Sequence, residues 1–318
     1  MAVDPVRKQR PENHEQKPSL VYAFIYVADA EEGLVMINAA TLLDGNPMNN
    51  FVKRDVTFNP NGILCGANNV TVVGNFVYVT TDKALVVISV EDPTKPKVTA
   101  VINDPLHHPT DVQVQFRYAF VGDHAGVKVF DVTDLAQPKF VTEIGGFGEA
   151  RRIYVARTYA YVAAGKNGLV ILDVENPERP KVDQIFTEEL CDVHDVKLGI
   201  VYNSEYAYLA DGKGGLKVLQ LTSPETPGNQ GWSPKPHPHV IAHFKFPKDG
   251  EIKCVSKGLD RDRAVDESGN QIAVFGRVGA RPMNLEEQRR LYMKPDGSIL
   301  KVAEDPRAQP PYIRKTGK

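Results

Sequence analysis

Tyr159-Ala160-Tyr161-Val162-Ala163-Ala164-Gly165-Lys166-Asn167-Gly168-Leu169-Val170-Ile171-Leu172-Asp173-Val174 reads as two strands joined by a tight turn. Its first half is aromatic and alternating, its second is a run of branched residues, and glycines stand between them. The pattern occurs four more times. Tyr26-Val27-Ala28-Asp29 leads to Gly33-Leu34-Val35-Met36-Ile37, and Tyr78-Val79-Thr80-Thr81-Asp82 leads to Leu85-Val86-Val87-Ile88. Phe120-Val121-Gly122-Asp123 leads to Gly126-Val127-Lys128-Val129-Phe130, and Tyr208-Leu209-Ala210-Asp211 leads to Gly215-Leu216-Lys217-Val218-Leu219. Leu34, Leu85, Val127, Leu169 and Leu216 are spaced 51, 42, 42 and 47 residues apart. Strand patterning with a period of about 40–50 residues implies propeller blades or a related β-array.

The third and fourth copies each supply four strands. Val112-Gln113-Val114 or Ile153-Tyr154-Val155 comes first, then Tyr118 to Val121 or Tyr159 to Val162, then Val127 to Val132 or Leu169 to Val174. A proline-bearing turn precedes the fourth, Lys139-Phe140-Val141 or Lys181-Val182, because proline cannot donate to a ladder. The mostly apolar third strands fit sheets covered on both faces. Matching first strands are expected at Val70 to Val72, Val196 to Leu198 and Ile252 to Cys254. The last opens a degenerate sixth copy, continued by Arg263 to Asp266 and Gln271 to Phe275.

The expected fold is therefore all-β: a single β-propeller of about six four-stranded blades over residues 19–305. Around it the sequence predicts a disordered polar leader over 1–18 and a Pro-rich surface-loop insert over 224–238. A short helix over 284–293 follows, opened by the capping box at Asn284 and Glu287, and then an irregular tail over 306–318. A second insert, Leu42 to Asn69, separates the first two copies. The first copy begins at its second strand. Ser298 to Val302 is the candidate for the missing one, unless the chain is the tail of a longer protein.

Leu85-Val86-Val87-Ile88-Ser89-Val90-Glu91-Asp92-Pro93 and Leu169-Val170-Ile171-Leu172-Asp173-Val174-Glu175-Asn176-Pro177 resemble the LVIVD repeat, with the resemblance running from Tyr22 to Phe275. It implies a β-propeller with interaction surfaces on a bacterial or archaeal protein, often an exported one, and it brings no catalytic residues. No apolar h-region precedes the repeats, so no export signal is read and the compartment stays unassigned.

Net charge is −2, from 38 basic and 40 acidic residues, which gives no electrostatic footprint for nucleic acid. No apolar run is long enough to span a membrane as a helix. Cys65, Cys191 and Cys254 form neither CxxC nor CxxCH. Gly-rich phosphate loops, GxSxG elbows and HExxH helices are absent as well.

What chemistry the residues offer gathers in the fourth-to-first and second-to-third connections, which share one end of a propeller. The candidate ligand or metal residues there are His107, His108, Asp111, Arg152, Cys191, His194 and Asp195, with His124, Glu149, Arg151 and Asp192 beside them. Asp111, Arg152 and Asp195 stand immediately before first strands, so repeat symmetry brings them round one axis. Imidazole, thiolate and carboxylate are the donors of zinc, copper or iron sites. The same groups also pair internally as ordinary polar loop residues, and Arg151-Arg152 offers an anion site instead. Asp29, Asp82, Asp123, Asp211 and Asp266 read as turn residues, and Lys97, Lys139 and Lys181 as guards of edge strands. The expected function is a non-enzymatic module that binds a protein partner. The alternative is a metal-binding protein or metal-dependent enzyme centred on the channel mouth; catalytic residues and cofactors are unassigned.

Overall fold

The computed structural model describes residues 20–39, 52–201, 204–228, 231, 233–246, 250–256, 277–278 and 281–282. Strands β1 (Phe24–Asp29), β2 (Gly33–Asn38) and β3 (Lys53–Phe58) form a three-stranded sheet in the order β1-β2-β3. Four antiparallel sheets of four strands follow. They are β4 (Asn69–Val73) to β7 (Lys97–Ile102), β8 (Asp111–Gln115) to β11 (Lys139–Gly145), β12 (Arg152–Ala156) to β15 (Lys181–Phe186), and β16 (Asp195–Val201) to β19 (His239–Phe244). Every sheet runs in sequence order, as a meander must.

The chain divides into two compact parts. One comprises Met1–Ile25, Met36–Val56 and Leu259–Lys318, the other Tyr26–Val35 and Thr57–Gly258. In the first, Val21, Ala23, Phe24 and Met36 are buried, the Ala39 amide donates to Ala23, and Asn38 donates to Asp55. It also holds the short pair β20 (Arg277–Val278) and β21 (Arg281–Pro282).

The second part carries the core. Tyr78, Leu85 and Val87 pack against Val112, Ala119, Val121 and Phe130 of the next sheet. Phe120, Val127 and Val129 point the other way, against Ile153, Val162 and Val170. Tyr161, Leu169 and Ile171 then meet Val196, Leu209 and Leu219. Each of the middle sheets thus divides its side chains between two successive cores, which is why its third strand is mostly apolar. Tyr78, Phe120 and Tyr161 sit in these interfaces as expected, whereas Tyr26 and Tyr208 are only half-buried.

Four features depart from the sequence reading. The stretch 42–69 is not merely an insert, for it contains β3, the last strand of the first sheet; Arg54 stands where Val98, Phe140 and Val182 stand in the next three copies, and this charge hides the strand. Fourth strands are longer than their signal, because β15 continues through Asp183 and Gln184 to Phe186. Ile252 forms only an isolated bridge to Gly212, equivalent to the Val193 bridge to Gly165, so Ile252 to Cys254 is not a first strand. Thr81, not Asp82, holds its turn, accepting from Lys83 and Ala84. A register shift recurs between the third and fourth strands, at Val87/Ile88, Val129/Phe130, Ile171/Leu172 and Val218/Leu219, marking a repeated β-bulge.

The 224–238 insert is strand-free where described. Thr158 pairs with Ser233, Asp183 with Lys235, and Gln184 donates to Pro236. No α-helix occurs among the described residues. The leader 1–18, the second and third strands expected at 263–266 and 271–275, the helix 284–293, the strand 298–302 and the tail 306–318 lie outside them.

Candidate functional site

The residues before and at the start of each first strand form a polar seam from sheet to sheet. Asn68 donates to the Pro109 carbonyl at 2.9 Å, Thr71 to the Val112 carbonyl at 2.9 Å, and the Thr110 hydroxyl to the Ala150 carbonyl. Asp111, 2% exposed, is the centre of this seam. Its Oδ1 accepts from the Val112 amide and from Asn69 Nδ2, and its Oδ2 accepts from the Ile153 amide at 2.7 Å. Burial pushes this carboxyl above its usual range, while the charges of Arg152 and Lys197 and the bonds from Ile153 and Val112 pull the other way.

Asp195 repeats the arrangement. Its Oδ1 accepts from the Val196 amide and Lys197 Nζ, each at 2.8 Å, and its Oδ2 from the Val255 amide at 2.9 Å. Val255 therefore stands where Ile153 stands, placing the next first-strand position just past the segment expected from sequence. Arg152 gives Nη1 to the carbonyls of Thr110 at 2.5 Å and Arg151 at 3.0 Å. Asp111 and Arg152 thus bond across the junction of two successive sheets, and Asp195 makes the same kind of bond to the Val255 amide.

His194 belongs to a second cluster. Arg151 donates Nε to Glu149 at 2.7 Å and Nη1 to Asp192 at 2.8 Å, and Nη1 lies 3.2 Å from His194 Nδ1. His194 Nε2 is 3.1 Å from Asp192 Oδ2. This pattern assigns the proton of a neutral ring to Nε2, leaving Nδ1 to accept from arginine. Burial, then Arg151, hold the His194 pKa below its ordinary value, opposed by Asp192.

His107 and His108 are exposed, and His108 stacks on His124 with centroids 5.1 Å apart. Cys191 is exposed and enters the network only through its amide, held by Asp211 Oδ1 at 2.8 Å. The seven candidates thus fall into separate settings. Among the described residues no three His, Cys, Asp or Glu side chains group as metal donors. The metal alternative is without a donor set there. Arg151, already shared between two carboxylates, is likewise no open anion site.

Sequence reasoning missed an enclosed lysine. Lys128, 1% exposed, places Nζ 2.6 Å from Asp123 Oδ2. The same oxygen accepts the His107 amide at 3.0 Å, while Oδ1 accepts from Ala125. The pair was marked in the sequence: Asp123 and Lys128 occur together, as do Asp211 and Lys217, whereas Ala164 and Val170 fill both places in the fourth copy. Asp211 Oδ1 clamps the Cys191 and Asp192 amides, and its buried Oδ2 has no hydrogen-bond partner.

Comparison with solved structures finds distant likenesses. The computationally designed Ika8 protein is 12% identical with a TM-score of 0.43, over 63% of this chain and 55% of that one. A functionally unknown protein from Desulfotomaculum acetoxidans is 14% identical with a TM-score of 0.49, over 70% and 66%. Hsv2 of Kluyveromyces lactis is 11% identical with a TM-score of 0.41, over 62% and 57%. The chain spans less than two thirds of the length of each, and TM-scores under 0.5 assign no architecture. No curated protein matches it. The LVIVD repeat model matches residues 66–104, 108–144, 147–187 and 199–226, sheet after sheet, and the chain belongs to the LVIVD-repeat family.

Proposed function

We propose that this chain is a non-enzymatic interaction module in which a β-propeller of about six blades displays its end loops to a protein partner. The observation that carries this reading is the seam. Asp111 bound to Ile153 and Thr110 to Ala150 join the second four-stranded sheet to the third, Asn68 and Thr71 join the first to the second, and Asp195 holds the Val255 amide of the segment after the fourth. A scaffold fixed in this way keeps its connections in place while they vary in length and residue, the arrangement on which binding surfaces are built. In this proposal residues 19–305 form the ring, 1–18 and 306–318 flank it, and Ser298 to Val302 supplies the strand the first sheet lacks.

The test is reconstitution. A protein retained on the immobilised native chain, purified separately and recombined, should give a defined complex by size-exclusion chromatography with light scattering. Turnover of a small substrate that disappears in His194→Ala would overturn the reading. Deleting 298–302 tests closure: a variant as stable as the parent sinks that part of the proposal.

A further inference from the structure

Three hairpins between first and second strands turn in two residues, and the first turn residue of each is left-handed: Gly74 at φ 58°, Phe116 at φ 53° and Arg157 at φ 55°. Glycine is the residue this backbone favours. Arg157 has a visible reason to replace it, since its Nη1 is ion-paired with Glu205 of the next sheet. Phe116 has no such reason. It is 88% exposed and belongs to none of the three inter-sheet cores. The neighbouring Arg117 guanidinium lies over the Tyr118 ring, 5.0 Å from its centroid. Phe116 is thus set against the fold twice, by a strained backbone and by an apolar ring that gains nothing from burial.

We propose that Phe116 is the anchor of a protein-docking surface at the hairpin-turn end of this part of the chain, and that its occupant is a partner protein presenting an apolar peptide segment. The proposal rests on the interaction-module reading and names its contact. The charge next to Phe116 in the turn is already matched: Arg117 pairs with Glu178 at 3.4 Å and Asp131 at 3.8 Å, and the Tyr118 hydroxyl donates to Glu178 at 2.8 Å. One aromatic anchor inside a satisfied polar rim is the anatomy of a non-obligate protein interface. An anionic lipid surface would need unpaired basic side chains around the ring instead. The turn is held on paired strands, Gln115 opposite Tyr118, so docking has little backbone to order.

The probe is a random-peptide library displayed on phage and panned against the full native chain. Apolar peptides should enrich, and should bind Phe116→Asn at least tenfold more weakly than the parent while binding Arg157→Asn unchanged. Phe116→Asn should also melt about 2–4 °C higher, because asparagine tolerates the left-handed region. Peptides that bind Phe116→Asn as tightly as the parent overturn the anchor and leave the interaction reading standing. A library from which nothing enriches sinks both. A lower melting temperature in Phe116→Asn shows a structural ring and overturns the proposal. So does dimerisation, or binding to phosphatidylserine vesicles, that the substitution abolishes, because the occupant is then a second copy or a membrane.

Discussion

The Ile153 amide donates to the Asp111 carboxylate at 2.7 Å, although the two residues lie 42 positions apart and begin different sheets. One carboxylate satisfies three donors, those of Asn69, Val112 and Ile153. Asp111→Ala leaves them buried without an acceptor and is expected to cost about 3 kcal/mol, at roughly 1–3 kcal/mol for a buried group deprived of its partner. Asn69→Ala removes one donor and should cost about 1 kcal/mol. Urea unfolding of the singles and the double variant checks this, the double costing less than the sum because the two share a bond.

The enclosed Lys128–Asp123 pair makes a sharper prediction. Lys128→Val alone strands a buried carboxylate and should cost about 3–5 kcal/mol. Asp123→Ala combined with Lys128→Val recreates the Ala164 and Val170 of the neighbouring copy and should recover at least half of that loss. Recovery of nothing would mean that Asp123 matters chiefly as the acceptor of the His107 amide.

Acid should destabilise the fold through His194 and its cluster with Arg151 and Asp192. Its folded pKa lies below the ordinary value of 6.5, so the unfolded chain takes up the proton first. The stability it contributes is present above pH 6.5 and is lost as pH falls through the folded pKa. Melting temperature should drop between pH 7 and pH 5, and His194→Gln should flatten that drop. Because the ring is partly exposed, added salt should shrink the difference.

Two glycines should respond differently to alanine. At Gly168, φ is 79° and a Cβ would run into the Phe186 carbonyl, so Gly168→Ala carries both backbone strain and a clash, about 3 kcal/mol or more. At Gly74, φ is 58° but a Cβ meets nothing within 4 Å, and Gly74→Ala should cost only about 1 kcal/mol. Chemical denaturation of the two variants gives the ordering.

The strand order was legible because each copy repeats an aromatic strand, a turn and an apolar strand, and sheets covered on both faces demand that pattern. β3 escaped because Lys53, Arg54 and Asp55 open it and no Pro-Lys pair announces it. Repeat spacing marked Asp111, Arg152 and Asp195 as equivalent, but it could not say that each would also reach backbone of an adjoining segment: Asp111 the Ile153 amide, Arg152 the Thr110 carbonyl and Asp195 the Val255 amide. Those backbone partners carry no letter in a sequence. His108 and His194 looked alike as loop imidazoles; stacking on His124 in one case and arginine with aspartate in the other separate them.

The seam also restricts how the gene can grow. Asn69, Asp111, Arg152 and Asp195 occupy equivalent positions with alternating character: neutral, acidic, basic, acidic. A tandem duplication of the copy that carries Asp111 would set one aspartate beside another, where Asp111 now meets Asn69 on one side and the Arg152 charge on the other. Lengthening by duplication of that copy is disfavoured for this reason. The order of the repeats is written in charge.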